Sequence, residues 1–254
     1  MTHPHTHAAT GREVALVTGS TSGIGAAIAH RLADEGYFVI LHSRGSTEDG
    51  AALAEKLGHA AYLQADLSCE ADRLRLIADA LALTGRLDVL VNNAGISGLI
   101  PHGDLAAASP EIWRSLYEVN VIAPFQLVGL AEEALRASAG RGGRACVINI
   151  SSHAGVRPKG GSIPYAATKA ALNHVTRLLA RTLGPEIRVN AVAPGLVDTP
   201  LTADWTEAQA LWQTQSPMRR GARPEDIAQA VMALLASDYI TGEVLLSDGG
   251  LNLT

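Results

Sequence analysis

Tyr165 and Lys169 stand four residues apart in PYAATKAALNHVTRLLA, a stretch whose apolar spacing predicts a helix. Residues i and i+4 share one helix face, so the ammonium of Lys169 can lie beside the phenol of Tyr165. A phenol ordinarily titrates near ~10, and a neighbouring cation favours its anion and lowers that value. A tyrosine tuned in this way gives a proton to a carbonyl oxygen, or takes one from a hydroxyl, near neutral pH. Ser151 and Ser152 lie fourteen and thirteen residues upstream of the tyrosine. The YxxxK spacing alone also occurs on ordinary surface helices, so the elements around it must decide.

Short apolar, β-branched runs alternate with helical stretches along the chain. Strands are predicted at Glu13–Thr18, Tyr37–Leu41, His59–Ala65, Leu87–Val91, Ala145–Ile150, Ile187–Ala193 and Glu243–Ser247. Helices are predicted at Ile24–Glu35, Ala51–Leu57, Glu111–Ser138, after Pro164, and near Pro224–Ala236. This alternation predicts an α/β fold: one Rossmann-type, doubly wound parallel sheet of about seven strands with helices on both faces. Near-continuous apolar strands fit a sheet covered on both sides. The expectation is one domain over residues 11–254, preceded by a disordered polar tail, residues 1–10. His3, His5 and His7 alternate in that tail and could bind a metal adventitiously.

Thr18-Gly19-Ser20-Thr21-Ser22-Gly23-Ile24-Gly25 follows the first strand and opens the first helix. Glycines there let the backbone turn tightly and approach a pyrophosphate, with amide hydrogens and the helix N-terminus facing its charge. Strand, glycine turn and helix occur in the order that such a motif requires.

Composition narrows the function classes. The 254 residues are 47% hydrophobic and 18% charged, with a formal net charge of −5. There is no basic excess to neutralise nucleic-acid phosphates. Cys69 and Cys146 show no ligand-like spacing, so neither a structural disulfide nor a metal site is expected, and a reducing, cytoplasmic setting fits. No run of eighteen or more apolar residues suggests a membrane span.

The turn reads TGxxxGxG, one residue longer than GxGxxG. The chain also carries Asn92-Asn93-Ala94-Gly95 after the fourth strand, Asn120 in the long helix and Ser152 ahead of Tyr165. Pro194-Gly195 follows the sixth strand and Asp248-Gly249-Gly250 comes near the end. With these motifs in order and register, the chain resembles a short-chain dehydrogenase/reductase over roughly residues 11–252. The resemblance implies hydride transfer between a nicotinamide and a carbonyl or secondary alcohol. It makes Tyr165 the acid/base and gives Lys169 the nicotinamide ribose as well. Ser152 then donates to the substrate carbonyl, and Asn120 steadies a water joining the lysine to solvent. Register to Tyr165 selects Ser152, leaving Ser151 to bond backbone at the strand end.

The same resemblance assigns the cofactor to the turn from Gly19 through Ser20, Thr21, Ser22, Gly23 and Ile24 to Gly25. It adds Asp66 and Leu67, then Asn93, Ala94 and Gly95, then Pro194 and Gly195. Val197 backbone and the Thr199 hydroxyl complete the set at the carboxamide. An N-cap role is the competing reading for Asp66. An NAD site places a carboxylate at the end of the second strand, where this chain has Ser43 and Arg44. These would bind a 2′-phosphate, so NADP(H) is favoured over NAD(H). Ser22 departs from the basic residue that many NADP-preferring relatives carry before the second glycine.

Residues 200–221 correspond to the family's substrate lid. Trp205 and Trp212, seven apart, share a face if that segment is helical, either closing over an apolar substrate or packing the lid onto the body. Ser97 and His153 are assigned to the pocket wall and rim. The implied function is reduction of a carbonyl or oxidation of an alcohol. The narrower alternatives are a 3-oxoacyl-acyl-carrier-protein reductase, an NAD-linked alcohol or sugar dehydrogenase, or a silent dinucleotide-binding regulator. Family likeness also implies a homo-oligomer, commonly a tetramer.

Overall fold

The structure is a computed structural model and describes residues 11–142 and 145–254. The tail with His3, His5 and His7 lies outside the described residues. Seven strands form one parallel sheet: β1 (Val14–Val17), β2 (Phe38–Ser43), β3 (Ala60–Gln64), β4 (Val89–Asn92), β5 (Cys146–Ile150), β6 (Arg188–Pro194) and β7 (Val244–Ser247). Their spatial order is β3-β2-β1-β4-β5-β6-β7. The order reverses between β1 and β4, and a crevice opens at such a switch point beyond the carboxyl ends of the strands.

Among the described residues eight α-helices connect them: α1 (Gly23–Asp34), α2 (Thr47–Leu57), α3 (Glu70–Thr84), α4 (Pro110–Tyr117), α5 (Ala123–Gly140), α6 (Ile163–Leu183), α7 (Thr206–Gln215) and α8 (Pro224–Ala236). Successive strand residues point to opposite faces. Val14 and Leu16 accordingly join a core with Leu76 of α3, Leu127 of α5 and Leu183 of α6. Ala15 and Val17 join a second core with Ile28 of α1 and Val231 of α8. The doubly covered sheet that the apolar strands predict is the one observed.

One element departs from expectation. The stretch predicted as a single helix over Glu111–Ser138 is two helices joined by a π-helical turn, Glu118–Ile122. A π turn inserts one residue into the helical ladder, which apolar periodicity read from sequence does not register. Ser109 and Ser162 cap α4 and α6, accepting from Ile112 N and Tyr165 N, with a proline at the start of each helix. The second cap fixes the start of the helix that carries Tyr165 and Lys169. Cys69 is exposed, Cys146 is buried, and both are free.

Candidate active site

The glycine turn between β1 and α1 is held from three sides. Gly19 and Gly23 take φ values of +63° and +52°, a region that favours glycine. A Cβ on Gly25 would lie 2.2 Å from the Gly19 carbonyl oxygen, so only glycine lets α1 start this close to the strand end. Thr18 Oγ1 accepts from Asn93 N and Ala94 N, each at 3.0 Å, while Asn93 Nδ2 donates to the carbonyls of Thr18 and Gly19 at 2.9 Å. The NNAG segment after β4 therefore braces the turn.

The third brace is His42, which sequence reasoning missed. Its Nδ1 accepts from Gly19 N at 3.1 Å, so Nε2 carries the proton and donates to Ala65 O at 3.0 Å. Burial lowers its pKa from 6.5 to about 4. A histidine at a strand end gives no signal in sequence, since its partners lie 23 residues away on either side. Ser20 corrects an expectation. It is fully buried, with Oγ accepting from His42 N at 2.8 Å, so it sits beneath the turn instead of facing a ligand.

A groove of about 1470 Å³ runs from this turn across the strand ends. Thr21, Ser22, Gly23, Ile24 and Gly25 line it with Gly19 at one end, beside Ser43, Arg44, Asp66 and Leu67. Asn93, Ala94 and Gly95 follow, then Pro194, Gly195, Val197 and Thr199. Arg44 is exposed and faces Asp66 electrostatically. Ser43 Oγ is already engaged, at 2.8 Å from the Tyr62 hydroxyl and accepting from Ser46 N at 3.0 Å. Asp66 is not the N-cap of α3, a position held by Cys69. Its Oδ1 accepts from Ser68 N and Ser68 Oγ, and these bonds hold the carboxyl below its ordinary pKa. Glu48 and Asp49 lie in the first turn of α2.

At the other end of the groove, Ser152, Tyr165 and Lys169 come together. Ser152 caps a short 3-10 turn, His153–Gly155, its Oγ accepting from Ala154 N at 3.1 Å, and it lies close enough to the Tyr165 phenol to favour its anion. Gly155 lets this turn sit on α6: a Cβ there would lie 2.6 Å from the Lys169 carbonyl carbon. Lys169 is 5% exposed, donates from Nζ to Ile150 O at 2.9 Å, and lies 5.8 Å from the centre of the Tyr165 ring. Burial lowers the lysine to about 8. It also raises the phenol, opposed by the nearby Ser152 hydroxyl. Desolvation of the phenol thus outweighs its neighbours, and pair spacing alone does not set the net direction of its shift.

Asn120 sits in the π turn behind this group and is 1% exposed. Its Oδ1 accepts from Ile96 N, and its Nδ2 donates to Ile96 O, all at 2.9 Å, and to Thr168 Oγ1 at 3.1 Å. Gly95 lies between Asn120 and Lys169: a Cβ there would be 3.1 Å from Asn120 Oδ1 and 3.5 Å from Lys169 Nζ. Ser151 turns away, its Oγ donating to Lys169 O in α6, not to backbone at the strand end.

Ser97, His153, Trp205 and Trp212 all line the groove. The tryptophans do not share a helix face, because α7 starts at Thr206 and Trp205 is its N-cap. Trp212 packs on the body: its Nε1 donates to Asp248 O at 3.2 Å, and its ring meets the edge of His153 at 6.0 Å. His153 Nε2 lies 3.5 Å from Asp248 Oδ2. Among the described residues, no group of His, Cys, Asp or Glu could hold a metal ion, and no helix is long and apolar enough to cross a membrane.

A family model described as Enoyl-(Acyl carrier protein) reductase matches residues 19–252, and the matched span contains the whole groove. The chain belongs to the short-chain dehydrogenase/reductase family. It is therefore an oxidoreductase of the CH–OH/C=O type. It is 51% identical over 248 residues to the "Granaticin polyketide synthase putative ketoacyl reductase 2" of Streptomyces violaceoruber, covering 94% of this chain and 96% of that one. Two solved structures are similar throughout. The Pseudomonas aeruginosa RhlG/NADP active-site complex is 36% identical with a TM-score of 0.87, over 98% of this chain and 99% of that one. The 3-ketoacyl-(acyl-carrier-protein) reductase from Brucella melitensis complexed with NADH is 32% identical with a TM-score of 0.86, over 94% and 98%.

Proposed function

We propose that the protein is an NADP(H)-dependent reductase of a ketoacyl carbonyl, with Tyr165 as its general acid/base. The observation that carries this reading is that Ser152, Tyr165 and Lys169 meet at the far end of a groove that starts at the glycine turn, with Lys169 Nζ 5.8 Å from the centre of the Tyr165 ring. The turn suits a dinucleotide: a Cβ on Gly25 would collide with the Gly19 carbonyl, so glycine lets α1 begin against the strand end, where a helix N-terminus can meet a pyrophosphate. A bound reduced nicotinamide supplies hydride. The protein's residues do the rest. Ser152 and Tyr165 present hydroxyls to one carbonyl oxygen, fixing the reacting carbon and stabilising negative charge as it develops there. The raised phenol keeps its proton until that charge appears, which suits an acid in the reducing direction. Lys169, with its pKa near 8, is mostly cationic at neutral pH and stabilises the tyrosinate left behind. Asn120 serves the relay that returns the proton, through a water it steadies beside the lysine.

The 51% likeness to a ketoacyl reductase of a polyketide synthase supports a ketoacyl substrate. Arg44 supports NADP(H): an exposed guanidinium at the end of β2 suits a 2′-phosphate, with Ser43 orienting the loop through Ser46 N. Residues 11–254 act as one domain, and residues 200–221 act as the lid, with Trp205 over the substrate and Trp212 as its anchor. Exposed Ile122 and Phe125 support a homo-oligomer through α5, and two free cysteines support a cytoplasmic setting. Titration by nicotinamide fluorescence tests the cofactor. NADPH is expected to bind more tightly than NADH, and Arg44→Asp to weaken NADPH selectively. Equal binding by wild type, or an unchanged preference in Arg44→Asp, would overturn the NADP(H) assignment.

A further inference from the structure

Arg73, in the first turns of α3, is a cation only 3% exposed that no motif explains. Its Nη1 donates to Leu67 O and to Glu118 Oε1, each at 2.6 Å, and its Nε donates to Gln126 Oε1. Gln126 Nε2 in turn donates to Glu70 Oε1 at 2.9 Å. A guanidinium removed from water is tolerated where it finds good acceptors, and here Nη1 and Nε find them on three segments. Leu67 lines the groove in the loop after β3. Glu118 is the first residue of the π turn, Val119 lines the groove, and Asn120 is the turn's third residue. Gln126 lies on α5 just beyond the turn.

The two ends of this bridge belong to different parts of the groove. The Leu67 loop lies with Arg44 and Asp66 at the end remote from Tyr165. The π turn sets the depth of Asn120 behind Lys169. A π turn interrupts the α-helical hydrogen-bond ladder of its flanks, so its register depends on what grips it from outside, and Arg73 grips its first residue. We infer that Arg73 is a positioning residue that ties the loop under the adenosine end of the cofactor to the turn that holds Asn120. This rests on the dinucleotide reading above.

The test compares wild type, Arg73→Met, Asn120→Ala and the double variant. NADPH affinity is read by fluorescence titration, kcat at saturating NADPH with a β-ketoacyl thioester, and the thermal midpoint by calorimetry. Arg73→Met is expected to weaken NADPH and to lower kcat by about tenfold or more, since small misplacements far from the chemistry are costly. On the Asn120→Ala background the kcat loss should vanish while the weaker NADPH binding persists, because the two residues share one effect on the relay. A kcat loss of equal size on both backgrounds would overturn the inference. So would a lowered midpoint with kcat and affinity unchanged, which marks a mere brace. If Arg73→Met does not fold, Glu118→Gln keeps an acceptor without the charge. It should lower kcat and leave NADPH affinity intact, and an unchanged kcat would overturn the inference. A wild type that binds neither NADPH nor NADH would sink the dinucleotide reading and this inference together. Binding by wild type with an unaltered variant sinks the inference alone.

Discussion

Replacing His42 by asparagine removes the one ionisable ring beneath the glycine turn, and its effect on stability should depend on pH. The native ring must stay neutral: Nδ1 accepts from Gly19 N, and a second proton there would set one donor against another. Burial places its pKa at about 4, against 6.5 when exposed. Between these values the unfolded chain binds the proton and the folded one does not, so stability falls as pH falls. The histidine's contribution is whole above pH 6.5 and is lost on passing down through about 4. From these two values the wild type should lose roughly 2 kcal/mol by pH 5 and roughly 3 kcal/mol by pH 4 on this group alone. Urea unfolding of both proteins at fixed protomer concentration, from pH 7.5 to 4, isolates the histidine's contribution, since all other groups are shared. Wild type should be the more stable at pH 7, and the difference should shrink by that amount on acidification. A difference that does not change with pH, or a His42 ring titrating near 6.5 by NMR, would refute the reasoning.

Two further substitutions test the geometry. Gly25→Ala would place a methyl 2.2 Å from Gly19 O and 2.5 Å from Asn93 Nδ2. It is expected to destabilise by about 1–3 kcal/mol, as overpacking does, and to abolish NADPH binding; calorimetry and titration check both. Lys169→Met should abolish turnover yet raise the unfolding midpoint of the ligand-free protein at pH 7. There the buried ammonium, with its pKa depressed from 10.5 to about 8, costs roughly 3 kcal/mol. That cost is present below pH 8 and disappears toward 10.5 as the folded lysine sheds its proton first, so the advantage of methionine should fade by pH 10. A lower midpoint at pH 7 would contradict it.

The sheet was legible because strands covered on both faces read as unbroken apolar runs, and the glycine turn because its residues are contiguous. The Tyr165–Lys169 pair was legible for the same reason, being two positions on one helix. What escaped depends on partners distant in sequence. His42 acts through Gly19 and Ala65, and Arg73 through Leu67, Glu118 and Gln126. Ser20 faces inward because His42 backbone claims its hydroxyl. The π turn at Asn120 leaves no mark on the apolar period. The phenol's raised pKa reflects burial, which pair spacing cannot convey. Trp205 missed the helix face by one residue, within the ordinary uncertainty of helix ends.

In the proposed function Tyr165 moves the proton. Its most direct test follows NADPH oxidation with a β-ketoacyl thioester by wild type and by Tyr165→Phe, with NADPH affinity measured alongside. The phenylalanine variant should lose a factor of about 10²–10⁴ in kcat while binding NADPH as wild type does. Retention of most of the activity by a variant that still binds NADPH would contradict the role assigned to Tyr165.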